Sequence, residues 1–203
     1  MLRRLTVDEA VDALRAGRAI VFPTETSYGV GCRAHDAVAV ARVIEAKGRP
    51  EGKPLPILLP SVDELRRCHL ETPLIVLAEA FWPGPLTLVV PAFPGLPDAV
   101  TAGTHMVGVR MSAHPVAAEL VERLGEPMVA TSANRSGEPA ASTVAECDAA
   151  GLVGVDGVVD GGSSPGSHST VVGLYAGDLR IFRQGTISEA RLRAVWDPVR
   201  ELS

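Results

Sequence analysis

A chain of 203 residues with 46% hydrophobic residues can bury one sizeable core, and its length does not force a second domain. Aromatics at 4% leave that core to Val, Leu, Ile and Ala, as in layered α/β domains whose buried strands are aliphatic. A net charge of -5 argues against a continuous basic face that coats nucleic acid, since such binding needs many neutralised phosphates, but it permits a local basic pocket.

Thr6-Val7-Asp8-Glu9 is a capping box that opens a first helix, with Val7, Ala10, Val11 and Leu14 on one face and Gly17 ending the run. Ala19 to Phe22 is a short apolar strand feeding into Pro23-Thr24-Glu25-Thr26-Ser27-Tyr28-Gly29-Val30-Gly31. That segment starts at a strand end, where α/β folds place ligands. Asp36 caps a second helix through about Ala46, stopped by Gly48 and Pro50, so Lys47 and Arg49 stand at a helix exit. Leu55 to Leu59 reads as strand, and Ser61-Val62-Asp63-Glu64 as a second capping box.

Thr72 and Pro73 open a helix to about Phe81, Pro83-Gly84-Pro85 turns the chain, and Leu86 to Val90 and Val107 to Met111 are strands. Pro115 starts a helix that Gly125 ends, and Met128 to Thr131 is a strand running into the polar loop Ser132-Ala133-Asn134-Arg135-Ser136-Gly137. Thr143 to Glu146 is a third capping box, and Val158 to Asp160 is strand. Gly161 to Ser169 is a Gly/Ser/Pro-rich loop of low intrinsic order, suited to a mobile lid. Val171 to Tyr175 and Leu179 to Arg183 form a hairpin, and Thr186 to Glu189 caps a last helix. There is no internal repeat and no interdomain linker, so a single domain over 1–203 is expected.

Cys32, Cys68 and Cys147 are odd in number and lack C-x-x-C spacing, which suggests neither a disulfide framework nor a zinc site and fits a reducing cytoplasm. His35, His69, His105, His114 and His168 show no metal-ligand spacing, so no protein-bound metal is expected. Met1 to Thr6 lacks an apolar core for export, and no apolar run approaches 18 residues, arguing against secretion and membrane spanning.

The chemistry concentrates in Pro23–Gly31 together with Lys47-Gly48-Arg49-Pro50 and Lys53-Pro54-Leu55. Hydroxyls and glycines offer donors, acceptors and close backbone approach, and prolines stiffen a segment carrying three cations, so a polyphosphate or carboxylate is the natural counter-ion. Cations at a helix exit also suit the helix dipole, and the threonines also suit plain turn capping. The P-loop and Gly-x-Gly-x-x-Gly patterns are absent, which places any nucleotide outside those schemes, with Mg²⁺ arriving on its phosphates. Ser132-Ala133-Asn134 lacks Gly-x-Ser-x-Gly and serves better as hydrogen-bonding groups than as a nucleophile loop.

Taken together, PTETSYGVG, KGRPEGKPL, FWPGPLTLV, VGVRMS, ATSANRSGEPAAST, STVV and IFRQGTI resemble the threonylcarbamoyl-AMP synthase family, the YrdC-like domain in its short form, from about residue 6 to 195. The resemblance implies a twisted mixed α/β sheet flanked by helices around a concave basic cavity. It implies a nucleotidyltransferase that makes threonylcarbamoyl-AMP and diphosphate from L-threonine, bicarbonate or CO₂, and ATP with Mg²⁺. Other proteins would then transfer the threonylcarbamoyl group to tRNA. By resemblance Lys47 and Arg49 are catalytic, and Arg49, Lys53, Ser132, Asn134 and Arg183 bind ATP. Thr26, Arg110 and Ser169 bind threonine, with Ser169 bringing the Gly/Ser-rich loop over it. Leu58 stands where some relatives carry a histidine, Met106 where a threonine is common and Ser27 where valine is usual. Two other classes stay open: a module binding structured RNA such as tRNA without catalysis, and another carbamoyl-adenylate-forming transferase.

Overall fold

The computed structural model describes residues 1–66 and 72–200, so Cys68 and His69 lie outside the described residues. After the short strand β1 (Arg4–Leu5), the first capping box forms as expected, with Thr6 Oγ1 accepting from the Glu9 amide and Glu9 accepting from the Thr6 amide at the start of α1 (Val7–Arg15). β2 (Ala19–Pro23) and β3 (Tyr28–Gly31) pair antiparallel across Thr24 to Ser27. The end of the supposed cradle is therefore strand. Gly31 is there for packing, because a Cβ would collide with the Val129 carbonyl.

Asp36 caps α2 (Ala37–Lys47), and Gly48 ends it in the left-handed region with φ of 55°, where glycine costs least. β4 (Ile57–Leu58), α3 (Val62–Arg66), α4 (Thr72–Phe81), β5 (Leu86–Pro91), the short α5 (Asp98–Thr101), β6 (Met106–Arg110) and α6 (Pro115–Leu124) follow. β7 (Met128–Val129) and β8 (Thr131–Ser132) come next, then α7 (Val144–Ala149), β9 (Val155–Val159), β10 (Thr170–Tyr175), β11 (Asp178–Arg183) and α8 (Glu189–Arg200).

Two predicted caps differ from expectation. Thr143 does accept from the Glu146 amide, but Glu146 answers the Ser142 amide instead of closing the box. The last helix is capped by Ser188, whose Oγ accepts from the Arg191 amide, while the Thr186 amide bonds the His168 carbonyl.

The described strands lie in two mixed sheets, ordered β1-β9-β2-β3-β8 and β11-β10-β5-β6-β4-β7. The single strand expected at Met128 to Thr131 is split between them: β7 pairs β4 and β8 pairs β3, so residues 128–132 join the two sheets. The cores are aliphatic, as composition required, with Phe22, Tyr28 and Trp196 the largest fully buried rings. α1 and α6 pack over Ile20 and Phe22, and α8 packs against α4 with Leu192 and Trp196 buried.

Candidate active site

A cavity of about 380 Å³ opens between the sheets, lined by Thr24, Thr26, Ser27, Tyr28, Gly29, Arg49, Pro54, Leu58, Thr87, Gly108, Arg110, Thr131, Ser132, Ser169 and Arg183 among others. Strand alternation explains the floor. Thr87 and Val89 of β5, Gly108 and Arg110 of β6, and Val171 of β10 share one sheet face. A Cβ at Gly108 would sit 3.0 Å from Thr87 Cγ2, so the glycine keeps this part of the floor uncrowded.

Of the residues expected at the site, Thr26, Arg49, Arg110, Ser132, Ser169 and Arg183 line the cavity. Each arginine is partly anchored by protein. Arg49 Nε donates to the Lys53 carbonyl at 3.1 Å and Nη2 to the Pro54 carbonyl at 2.7 Å. Arg183 Nε donates to the Ser169 carbonyl at 3.2 Å and Nη2 to Ser169 Oγ at 3.0 Å, and Ser169 Oγ also bonds Thr87 Oγ1 at 2.8 Å. Arg110 Nη1 pairs with Glu25 at 2.7 Å and reaches Thr26 Oγ1 at 3.2 Å. Burial pushes all three guanidinium groups below their ordinary pKa, yet arginine remains charged and the cavity stays strongly positive.

Lys47, Lys53 and Asn134 do not line the cavity. Lys47 is 2% exposed, and its Nζ donates to the Ser132 and Asn134 carbonyls while its own carbonyl accepts from the Ser136 amide. It ties the α2 exit to the 132–136 loop. Burial, helped by the Arg49 charge, lowers its pKa to about 8. Lys53 is exposed beside Arg49. Asn134 donates through Nδ2 to the Arg135 and Glu138 carbonyls, and its buried Oδ1 has no partner among the described residues.

The Gly/Ser-rich segment expected to be a lid is tied along its length. Tyr28 OH donates to the Gly162 carbonyl at 2.6 Å and accepts from the Gly161 amide, Ser164 Oγ donates to the Thr24 carbonyl at 3.0 Å, and the Ser167 amide donates to the Thr26 carbonyl at 3.0 Å.

Sequence reasoning missed Glu25 and Ser112, which back Arg110, and Thr87, which holds Ser169. Two signals were available: Glu25 is the only charged residue between Arg18 and Arg33, and Thr87 is the lone hydroxyl in an apolar strand. Ser112 carried none. The cysteines Cys32 and Cys147 are buried free thiols pushed up to about 12 by burial, so neither is a nucleophile. No helix among the described residues is long and apolar enough to cross a membrane.

The chain is similar to known proteins over most of its length. The Sua5/YciO/YrdC family model, described as telomere recombination, matches residues 12–185. A threonylcarbamoyl-AMP synthase of Pyrococcus abyssi is 38% identical over 94% of this chain and 57% of its own length. One from Xanthomonas euvesicatoria is 42% identical over 79% of this chain and 88% of its own length. The crystal structure of P. abyssi Sua5 complexed with L-threonine superposes with a TM-score of 0.88 at 36% identity, covering 95% of this chain and 58% of that one. The chain thus spans little more than half the length of the Pyrococcus relative.

Proposed function

This chain belongs to the Sua5/YciO/YrdC family, and on that premise we propose that it is an L-threonylcarbamoyladenylate synthase. As a nucleotidyltransferase it joins L-threonine, bicarbonate and ATP and releases diphosphate. One observation carries the reading: Arg49, Arg110 and Arg183 surround one cavity, each fixed by protein acceptors through part of its guanidinium and open through the rest.

The threonine amine and bicarbonate condense to an N-carboxylate with loss of water. An oxygen of that carboxylate attacks the ATP α-phosphorus, and the bond to diphosphate breaks as the new P–O bond forms, so charge moves onto the leaving group. The chain's contribution is positional and electrostatic. Arg110, Thr26 and Ser169 hold the amino acid, and Arg49 and Arg183 neutralise phosphate charge. Ser132 faces the nucleotide from β8, and Asn134 holds the loop behind it through the Arg135 and Glu138 carbonyls. Lys47 contributes through the loop it ties down, and exposed Lys53 attracts the polyphosphate. The 161–169 strap keeps water from a mixed anhydride that hydrolyses readily.

None of the lining residues is a carboxylate, so the protein offers Mg²⁺ no anionic ligand there and the ion enters as the ATP complex. We place the product upstream of tRNA modification, used by separate threonylcarbamoyl-transfer proteins in the cytoplasm. Incubation with ATP, Mg²⁺, bicarbonate and L-threonine should release diphosphate in a threonine-dependent manner. Release that ignores threonine, or no release, would sink the reading.

A further inference from the structure

Glu25 does not line the cavity, and its side chain is 15% exposed against 10% for Arg110. A carboxylate so withdrawn from water must be matched. Both of its oxygens are: Oε1 accepts from Arg110 Nη1 at 2.7 Å, and Oε2 accepts from the Ser112 hydroxyl. The same Nη1 also reaches Thr26 Oγ1 at 3.2 Å. One amino group of Arg110 is thereby committed twice inside the protein, while Nε and Nη2 have no protein acceptor among the described residues.

Nε and Nη2 form the side-on edge of a guanidinium, whose spacing matches the two oxygens of a carboxylate. Arg49 and Arg183 both commit their Nε and Nη2 to protein oxygens. Of the three arginines only Arg110 keeps that edge open.

Thr26 completes the geometry. The single hydroxyl proton of Thr24 goes to the Ser27 carbonyl at 2.6 Å, so in the 3.0 Å contact between Thr24 and Thr26 the donor is Thr26. Thr26 Oγ1 can then only accept from a ligand. An acceptor beside an open guanidinium edge fits an amine beside a carboxylate, the head group of an α-amino acid.

We infer that Glu25 is a positioning residue that makes Arg110 the reader of the substrate carboxylate, an inference that rests on the threonine-binding reading above. Charge points the same way. The Arg183 charge works against that of Arg110 and the Glu25 charge supports it, so without Glu25 the repulsion between the two arginines would go uncompensated. The turn carrying Glu25 also holds the strap through the Thr24 and Thr26 carbonyls.

Steady-state kinetics of diphosphate release, varying threonine and ATP separately, tests this. Glu25→Gln keeps size and removes charge, and it should raise the KM for L-threonine about tenfold or more while the ATP KM and kcat stay within about threefold. A merely structural role would lower the melting temperature and the active fraction without splitting the two KM values. Glu25→Asp should recover part of the loss. Ser112→Ala should shift the threonine KM the same way by about threefold. A folded Glu25→Gln protein with both KM values unmoved overturns the inference while wild-type activity stands. If that variant does not fold, a folded Ser112→Ala protein with an unmoved threonine KM overturns it instead. A wild type without threonine-dependent release overturns it together with the reading beneath it.

Discussion

The exit of α2 and the end of β6 each deliver a buried cation beside the same cavity, Lys47 at 2% exposure and Arg110 at 9%, yet the two are satisfied in opposite ways. Lys47 meets neutral backbone carbonyls of the 132–134 loop and is turned away from the cavity. Arg110 meets an ionised carboxylate on one amino group and presents the rest to the cavity. Carbonyls hold an ammonium without cancelling its charge, so desolvation wins and Lys47 falls to about 8. Closeness to a basic motif therefore does not tell which way a cation points. The acceptors within reach decide it.

The largest test of this contrast is Lys47→Ala. It leaves the Ser132 and Asn134 carbonyls without their buried donor, and should cost about 3 kcal/mol of stability. For a chain of this size that is a melting temperature lower by about 6–12 °C, read by circular dichroism. A loss below about 1 kcal/mol would return Lys47 to the role of a ligand contact.

A smaller effect separates Arg49 from Lys53. Arg49→Ala should lower kcat/KM for ATP about tenfold, ~1.4 kcal/mol, and Lys53→Ala less than about twofold. Equal losses would erase the distinction between the anchored and the exposed cation.

The smallest effect is a titration. The chain has only two lysines, so the Cε resonance of Lys47 can be followed by NMR, and its midpoint should lie near 8. Because the folded pKa is lowered, the unfolded chain binds more protons from about pH 8 up to about 10.4. Over that window the Lys47 contribution should raise stability with pH, and below it the burial penalty should be complete. A midpoint near the ordinary lysine value would contradict the burial.

Much of the fold was legible because its signals are local. Thr6 with Glu9, Asp36 with Gly48, and Pro115 with Gly125 each act within one helix, so the sequence alone places them. The hairpin at Ala176-Gly177 was legible too, and both residues take positive φ, 52° and 78°, as a tight two-residue turn needs. What escaped depends on partners far along the chain. Tyr28 to Gly31 reads as an open cradle until Val129 is packed against Gly31. Lys47 reads as a phosphate contact until Ser132 and Asn134, remote in sequence, present their carbonyls. Thr186 and Ser188 compete locally for the last cap, and the His168 carbonyl claims the Thr186 amide. At the site, the arginines were readable as charge, but the residues behind them were not, because Glu25 and Ser112 become neighbours only when β2 and β6 end at the same edge of the cavity.

Residues 128–132 sit between two pairing partners, with the Val129 amide bonded to the Cys32 carbonyl on one flank and the Ala130 amide to the Pro56 carbonyl on the other. Amino-acid replacements there can be absorbed one at a time, but a change of length cannot. A single inserted residue would slip the alignment on both flanks together and turn every following side chain to the opposite face. Ser132 would leave the cavity wall and the alignment with Gly29 would be lost, so insertions and deletions across a family built this way belong in its surface loops and not in this seam.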